Sequence, residues 1–366
     1  MLGGYAFNED QVSDRSIQFF DIDLVGTYDL LVDAQIQNLD RTGYALFGDL
    51  IWRPTDWLEL SAGLRYADES VDSNAKLDFA LTEGGIDLIK VVASPQGSID
   101  DSNLSPTASV RVNLTEDISA YARYAQGFRA GGFPLAPASP ISNVPFESET
   151  SDNYEVGMNG ALLDSALEFD VSLFLIRIDD QQLTTIVFFN DDPNLPIASV
   201  GNAGESESAG FEAVFTVRPN RYLEVTASIG HTDAKYTDYL DTVGADRSGE
   251  AYPFVPRWTV QIGANLAFPV GDGGELALQA QWRQIDNILS GSGVDIDLQF
   301  PVDSYDVLDF RASYIRERLQ LDVFVDNARD EYYETRVFNA FFFAEPRPFS
   351  IVGPPRRVGA RLTYYL

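Results

Sequence analysis

VGARLTYYL, residues Val358 to Leu366, runs to the final residue of the chain and stops there. Val358, Ala360, Leu362, Tyr364 and Leu366 share one parity; Arg357, Gly359, Arg361, Thr363 and Tyr365 share the other. Alternation with period two places successive side chains on opposite sides of a β-strand, here one apolar and one polar. A strand that ends a chain flush on an aromatic pair suits a barrel, whose last strand closes against its first.

The same alternation recurs upstream. In LELSAGLRY, Leu58, Leu60, Ala62, Leu64 and Tyr66 oppose Glu59, Ser61, Gly63 and Arg65. Ala108, Val110, Val112 and Leu114 oppose Ser109, Arg111 and Asn113; Leu223, Val225, Ala227 and Ile229 oppose Glu224, Thr226 and Ser228. Val260 to Phe268 and Leu319 to Val325 repeat the pattern. The apolar parity carries no charge in any of these runs. On a lipid-facing surface an Arg or Lys costs about 2–4 kcal/mol at the bilayer midplane, so the charges sit where a watery interior would receive them.

The connections alternate too. Short turns are expected at Arg53 to Asp56, Thr115 to Asp117, Leu163 to Ser165, Pro219-Asn220, Gly271 to Gly274 and Arg316 to Arg318. Between them lie long polar segments, expected as loops: Val71 to Asn103, Ala130 to Ser151, Gln181 to Ser206, Thr237 to Phe254, Ser290 to Asp303 and Ala328 to Pro354. Tight turns on one rim and long loops on the other are the habit of a transmembrane β-barrel. Trp52, Trp57, Tyr222 and Phe268 flank the turns, where an interfacial belt of aromatic residues would stand. The reading is all-β, a transmembrane antiparallel β-barrel with about fourteen strands in this chain, the first covering Gly3 to Asn8.

Composition narrows the function. As a soluble protein, 366 residues would suggest roughly two or three domains, but no linker or shift in composition divides the chain. No apolar run is long enough for a membrane-spanning helix. Cysteine is absent, which removes disulfides, thiolate metal sites and cysteine nucleophiles. The single histidine, His231, leaves little room for histidine catalysis. A net charge of −31 argues against nucleic acid as a partner. It is read either as a solvated acidic exterior or as a field favouring cationic ligands. Met1 to Tyr5 has neither a basic nor an apolar signal region, so an amino-terminal extension is expected.

Several segments resemble the TonB-dependent outer-membrane receptors, specifically the carboxy-terminal part of their barrel. YARYAQGFRAGGF (Tyr121 to Phe133) is similar to the family's strand-to-loop segment, and Glu147 to Leu183 to its E-x-x-x-x-YE-x-G signature and following hairpin. GNAGESESAGFEAVF (Gly201 to Phe215), VPRWTVQIGANLAF, VFVDNARDEYYETR and PPRRVGARLTYYL resemble later strands and the terminal one. The resemblance implies a barrel of about twenty-two strands around a plug. Residues 1–366 would be its carboxy-terminal portion, without plug domain, signal peptide or TonB box. It further implies a protein of the Gram-negative outer membrane that takes up an iron complex such as a ferric siderophore, with cobalamin, haem or oligosaccharide as alternatives. Implied partners are the small-molecule iron complex, the TonB complex acting through the missing amino-terminal part, outer-membrane lipid and the barrel assembly machinery. The family normally ends in Phe, whereas this chain ends in Leu366.

Candidate ligand contacts are the loop aromatics Phe188, Phe189, Phe341, Phe342 and Phe343, with Phe338 and Phe349 beside them. Such rings would stack on a planar ligand or pack among the loops, and the sequence leaves both open. Arg123, Arg129 and Arg311, with Asp309 and Asp322, fall on the lumen-facing parity, lining a passage or forming cross-strand charge ladders. Asp191, Asp192 and Asn194 lack the glycine and distal Glu of a calcium loop. No motif activates a nucleophile and no G-x-S-x-G occurs, so neither catalysis nor a cofactor is expected. A passive porin-like channel, a non-functional truncated remnant and a soluble acidic adhesin are the competing readings.

Overall fold

The computed structural model describes residues 1–23, 27–83, 86–94, 96–134, 145–188, 196–202, 204–240, 245–290, 300–339 and 348–366. The strands are β1 (Leu2–Asp23), β2 (Thr27–Thr55), β3 (Leu58–Glu83), β4 (Ile86–Ala93), β5 (Gln96–Asn113), β6 (Ile118–Arg129) and β7 (Glu149–Leu162). They continue as β8 (Leu167–Asp179), β9 (Gln182–Phe188), β10 (Pro196–Asn202), β11 (Glu205–Asn220), β12 (Leu223–Asp238), β13 (Trp258–Val270) and β14 (Gly274–Ile285). The last are β15 (Ile288–Ser290), β16 (Phe300–Val302), β17 (Tyr305–Arg316), β18 (Leu319–Asp326), β19 (Glu334–Asn339), β20 (Pro348–Val352) and β21 (Arg357–Tyr364). Fourteen of them form one antiparallel sheet in the order β1-β2-β3-β5-β6-β7-β8-β11-β12-β13-β14-β17-β18-β21, with β4 attached to β3. The expected number of strands is therefore found. The sheet is not closed: β1 and β21 are its two edges, and among the described residues they do not pair. Closure requires every edge to have a partner, and this sheet keeps two free edges.

Register carries the apolar parity across the sheet. Trp52, Leu60, Val110, Ala122, Val156, Leu173 and Phe211 are successive cross-strand partners from β2 to β11. Leu223, Leu266, Leu278, Ala312, Val323 and Ala360 continue such a row from β12 to β21. A slip of one residue in any pair would turn that strand's apolar set to the polar face. Leu173, Val323 and Leu362 are 55%, 46% and 67% exposed, so this face has no protein layer over it. An apolar surface of that extent needs an apolar surrounding. Tyr44, Tyr66, Tyr124 and Tyr154 border it on the side away from the turns, with ring centroids 6.2 Å apart for Tyr44–Tyr66 and 5.2 Å for Tyr124–Tyr154.

A tight turn lies at or beside each of the six expected places, the fourth on Arg221-Tyr222 just after Pro219-Asn220, which end β11. Leu163, Asp164 and Ser165 all take left-handed φ values, 55°, 54° and 66°. Gly271 and Gly273 supply the same backbone region between β13 and β14, where glycine has no steric cost. Asn220 Oδ1 accepts from the N–H groups of Tyr222 and Leu223 (2.9 and 3.2 Å). Thr115 Oγ1 accepts from Asp117 and Ile118.

The long segments depart from expectation. Val71 to Asn103 is not a loop: β3 continues to Glu83, β4 follows, and β5 begins at Gln96. The first strand reaches Asp23 rather than Asn8. β9 with β10, β15 with β16 and β19 with β20 form small hairpins inside three other segments. Beyond the tyrosines the outward face of the strands turns polar and the inward face of β2 and β3 is built of small and polar residues such as Gln37, Ala67 and Ser73, so backbone pairing persists while the strong hydrophobic alternation that would announce it is lost.

The polar face is tied by side chains. Arg218 bridges Glu168 and Glu224 across three strands at 2.6 and 2.8 Å. Ser313 donates to Asp322 at 2.6 Å, Ser119 donates to Asn159 at 2.8 Å, and Tyr121 donates to Glu155. Aromatic rings on this face lie over glycines of the next strand: Phe47 over Gly3, Tyr121 over Gly157, Phe174 over Gly210 and Phe324 over Gly359. A Cβ at Gly157 would meet the Tyr121 ring at 2.6 Å, so the ring has its place only because the glycine lacks one.

The two faces predict opposite responses to charge. Val171 and Ser172 are neighbours in β8 on the apolar and polar faces. Val171→Lys is expected to lose about 2–4 kcal/mol and Ser172→Lys less than about 1 kcal/mol, measured by urea unfolding from lipid vesicles. Equal losses would mean that the apolar face does not meet hydrocarbon.

Candidate functional site

The long connections gather on the rim opposite the turns. There the inner side of the β2–β3 extension is made of small residues: Ala45, Ala67, Val71, Ser73 and Ala75 are buried. The segment that follows β6, Gly131 to Pro134, is buried against this wall. Gly131 donates its N–H to Asp101 Oδ2 at 2.6 Å, and Gln37 donates from Nε2 to Ser73 Oγ (3.2 Å) and to the Pro134 carbonyl (3.1 Å). Gly132 and Phe146 exchange backbone bonds at 3.0 and 2.9 Å, closing the base of their loop. A Cβ on Gly131 would lie 2.5 Å from the Phe146 carbonyl and 2.9 Å from Asp101 Oδ2. The glycine pair of GFRAGGF is what lets the chain tuck inward.

Each loop then holds the next. Gln182 Nε2 donates to the carbonyls of Ala130 and Glu147, both at 3.0 Å, while its N–H donates to Glu149 Oε2 at 2.7 Å. Asn202 donates to Glu147 and Asp180 carbonyls and accepts from the Glu147 N–H. Gln181 Nε2 donates to Tyr252 OH at 2.9 Å, which joins the loop after β8 to the loop after β12. Phe254 N–H donates to the Leu289 carbonyl at 2.9 Å. Ser290 Oγ donates to the Val337 carbonyl and accepts from the Val337 N–H, both at 3.0 Å. The Arg336 guanidinium stands 4.8 Å from the Phe254 ring centroid. These clasps make a continuous collar of amide and hydroxyl bonds around the rim.

The collar's chemistry favours hydrogen-bond donors in whatever it meets. Gln37, Gln181 and Gln182 are each more than nine-tenths buried, use their amide NH₂ in a clasp, and leave Oε1 without a partner among the described residues. Tyr236, Tyr239 and Tyr252 cluster with centroids 4.7 and 5.2 Å from Tyr236. Burial pushes the Tyr236 and Tyr252 hydroxyls up, Tyr236 strongly, so both stay neutral well into the alkaline range. Asp246 is held below the usual carboxylate range by the Ser248 hydroxyl and N–H.

Of the sequence candidates, Phe188 ends β9, Phe338 lies in β19 and Phe349 in β20, where it is exposed. Phe189, Phe341, Phe342, Phe343, Asp191, Asp192 and Asn194 lie outside the described residues. Arg123 and Arg129 are exposed in β6, opposite Glu155 and Glu149 respectively. Arg311 is exposed in β17, 5.8 Å from the Phe324 ring centroid. Asp309 Oδ1 accepts from the Asn327 N–H at 2.7 Å. The structure thus spreads the arginines along the polar wall and does not bring them to one point. His231 sits on the apolar face, stacked on Trp258 at 4.4 Å and edge-on to Phe211, donating from Nδ1 to the Arg257 carbonyl at 2.8 Å. No metal-holding cluster occurs among the described residues. Some of the charge faces away from the mouth: Asp10, Asp40 and Asp72 are direct cross-strand neighbours on the outward face above Tyr44. Like charges so placed are destabilising and are tolerated where water and ions screen them.

Gln37, Gln181, Gln182, Asn202 and Ser290 had no signature in the sequence. A polar residue in a polar segment looks the same whether it is solvated or clasps a neighbouring loop.

Residues 2–328 match the family described as TonB dependent receptor-like, beta-barrel. The pesticin receptor of Yersinia pestis is 24% identical over 306 residues, 81% of this chain and 41% of that receptor. The ferric-pyoverdine 358 receptor of Pseudomonas putida is 23% identical over 333 residues, 88% of this chain and 36% of the receptor. The crystal structure of the ferric yersiniabactin uptake receptor from Yersinia pestis has a TM-score of 0.77 at 20% identity, covering 99% of this chain and 50% of the other. The chain spans half or less of the length of these proteins.

Gln182 is the hub of the collar, and its removal has a defined signature. A buried carbonyl deprived of its donor costs about 1–3 kcal/mol. Gln182→Ala is therefore expected to speed hydrogen exchange at the Gly132 and Phe146 amides by about tenfold, with β13 and β14 unchanged. Unchanged exchange at Gly132 would show that the loop base does not depend on the clasp.

Proposed function

Because the chain belongs to the family of TonB-dependent receptor β-barrels, we propose that it serves the active uptake of an iron complex, such as a ferric siderophore, across the outer membrane. It does so as the carboxy-terminal portion of a longer receptor's barrel. The observation that carries this reading is that the match to a ferric-pyoverdine receptor spans 88% of the chain. The collar on the long-loop rim supports it, since it offers a surface for capture where a ligand would arrive from outside.

In this mechanism the loops capture the complex, with Phe188, Phe189, Phe341, Phe342 and Phe343 giving flat apolar faces to its planar parts. Arg123, Arg129 and Arg311 line the polar interior along which the complex passes. The complex moves when the TonB machinery, acting on the amino-terminal part of the receptor, rearranges the plug. Flat rings over Gly157 and Gly359 keep that wall smooth. Outer-membrane lipid surrounds the apolar face, and the barrel assembly machinery inserts it.

The test is uptake of radiolabelled iron by cells carrying or lacking the gene, offered a panel of ferric chelates. Loss of accumulation of at least one chelate on deletion, and again on collapse of the proton gradient, is the expected result. Phe341, Phe342 and Phe343 replaced together by alanine should weaken binding of that chelate about tenfold, or about 1.4 kcal/mol, at equal surface abundance. Uptake that persists without the proton gradient, together with channel conductance, would favour the passive pore instead.

A further inference from the structure

On the polar inner wall, β13 and β14 carry a patch of amides around a bare stretch of backbone. Gly263 lies on the inward parity of β13, with Gln261 and Asn265 on either side of it along the same face. Its cross-strand partners are Thr226 on β12 and Gln281 on β14, and Gln279 pairs with Asn265 nearer the turns. All four amides are exposed, and their side chains make no hydrogen bond among the described residues. Elsewhere on this face the place over a glycine is taken. Rings lie over Gly157, Gly210 and Gly359, and a Cβ at Gly230 would stand 2.8 Å from Thr259 Oγ1. A Cβ at Gly263 would have nothing within 4 Å. An open glycine inside a strand marks a place where another group can come up to the backbone.

We propose that this niche binds an uncharged group that both donates and accepts hydrogen bonds, the amide or hydroxyl periphery of the ferric complex as it passes through the barrel. The inference rests on the uptake reading and narrows its substrate to complexes with an uncharged, amide- or hydroxyl-bearing outer surface. Three observations select that chemistry. Each amide offers a donor and an acceptor in one plane, and the missing side chain lets a flat group rest on the backbone while the amides reach its edges. A polyanion would satisfy their N–H groups and leave their carbonyls facing oxygen. The rim has charges of both signs, since Arg283 pairs with Gln261, Arg311 with Gln279, and Asp309 stands between them opposite Gln281. The mouth above has the same preference, because the Oε1 atoms of Gln37, Gln181 and Gln182 await N–H or O–H donors.

The experiment is uptake of radiolabelled iron by cells that express the receptor from its own gene, with surface binding read separately after collapse of the proton gradient. The probes are ferrioxamine E, an uncharged ferric tris-hydroxamate with amides on its ring, and ferric enterobactin, a triply anionic tris-catecholate. Ferrioxamine E is expected to accumulate about tenfold faster. Gly263→Leu, which fills the niche, should slow its transport about tenfold and leave its surface binding unchanged. Ala277→Leu, on the same wall but nearer the turns, should change neither. Gln279→Ala with Gln281→Ala removes two amides without adding bulk and should slow transport in the same way, so the test stands if the leucine variant fails to insert. The proposal is overturned if ferric enterobactin is the preferred probe, or if Gly263→Leu transports ferrioxamine E as fast as Ala277→Leu. It is equally overturned if Gly263→Leu slows both chelates to the same degree, which would place the effect in the barrel or its plug and not in the ligand. Each of these outcomes leaves iron uptake itself intact, whereas accumulation of neither chelate nor any other would remove the uptake reading and this inference with it.

Discussion

Hydrocarbon offers no hydrogen bonds, so every backbone N–H and C=O inside it must find its partner within the protein. That requirement organises this molecule. It forces long antiparallel pairing, and pairing with period two fixes which side chains meet lipid. The rows that begin at Trp52 and at Leu223 are the result, one residue per strand and each of them apolar. It also explains why so little else is needed across the membrane: six tight turns, polar ladders such as Arg218 with Glu168 and Glu224, and rings laid over glycines.

Where the constraint acts, the sequence was legible. Leu58 to Tyr66, Leu223 to Ile229 and Val358 to Leu366 could be assigned because one side of each strand meets a solvent that excludes charge. Where it ceases, legibility ceased too. Asp68, Asp72 and Lys76 continue the same strand as Leu60 and Leu64, but their side meets water and the buried side carries small residues, Ala67, Ser73 and Ala75, so their order does not announce a strand. Five of the six turns were found because they carry Gly, Asn or Asp, and Arg316 to Arg318 because two alternating runs flank it. The hairpins of the long segments were missed because no run of alternating apolar and polar residues marks their strands.

The collar was illegible for a different reason. Its bonds join residues far apart in the chain, such as Gln37 to Pro134 and Ser290 to Val337, and each uses a common side chain in an unremarkable setting. Only the glycine pair at Gly131 and Gly132 left a trace, as part of a recurring motif whose physical purpose is the inward tuck of the chain. The charge was legible in amount and not in placement. Composition gives −31, while register shows that Asp10, Asp40 and Asp72 look outward.

The chained clasps bear on how such a rim can change over time or by design. A loop that is bonded to its neighbour through a glutamine or a serine cannot be exchanged as an isolated cassette. Grafting the segment after β8 from another barrel would strand the stems at Ala130 and Glu147 and the hydroxyl of Tyr252 in one step. Variation in this rim should therefore travel in adjoining pairs, and a graft has the best prospects when it carries both sides of a clasp.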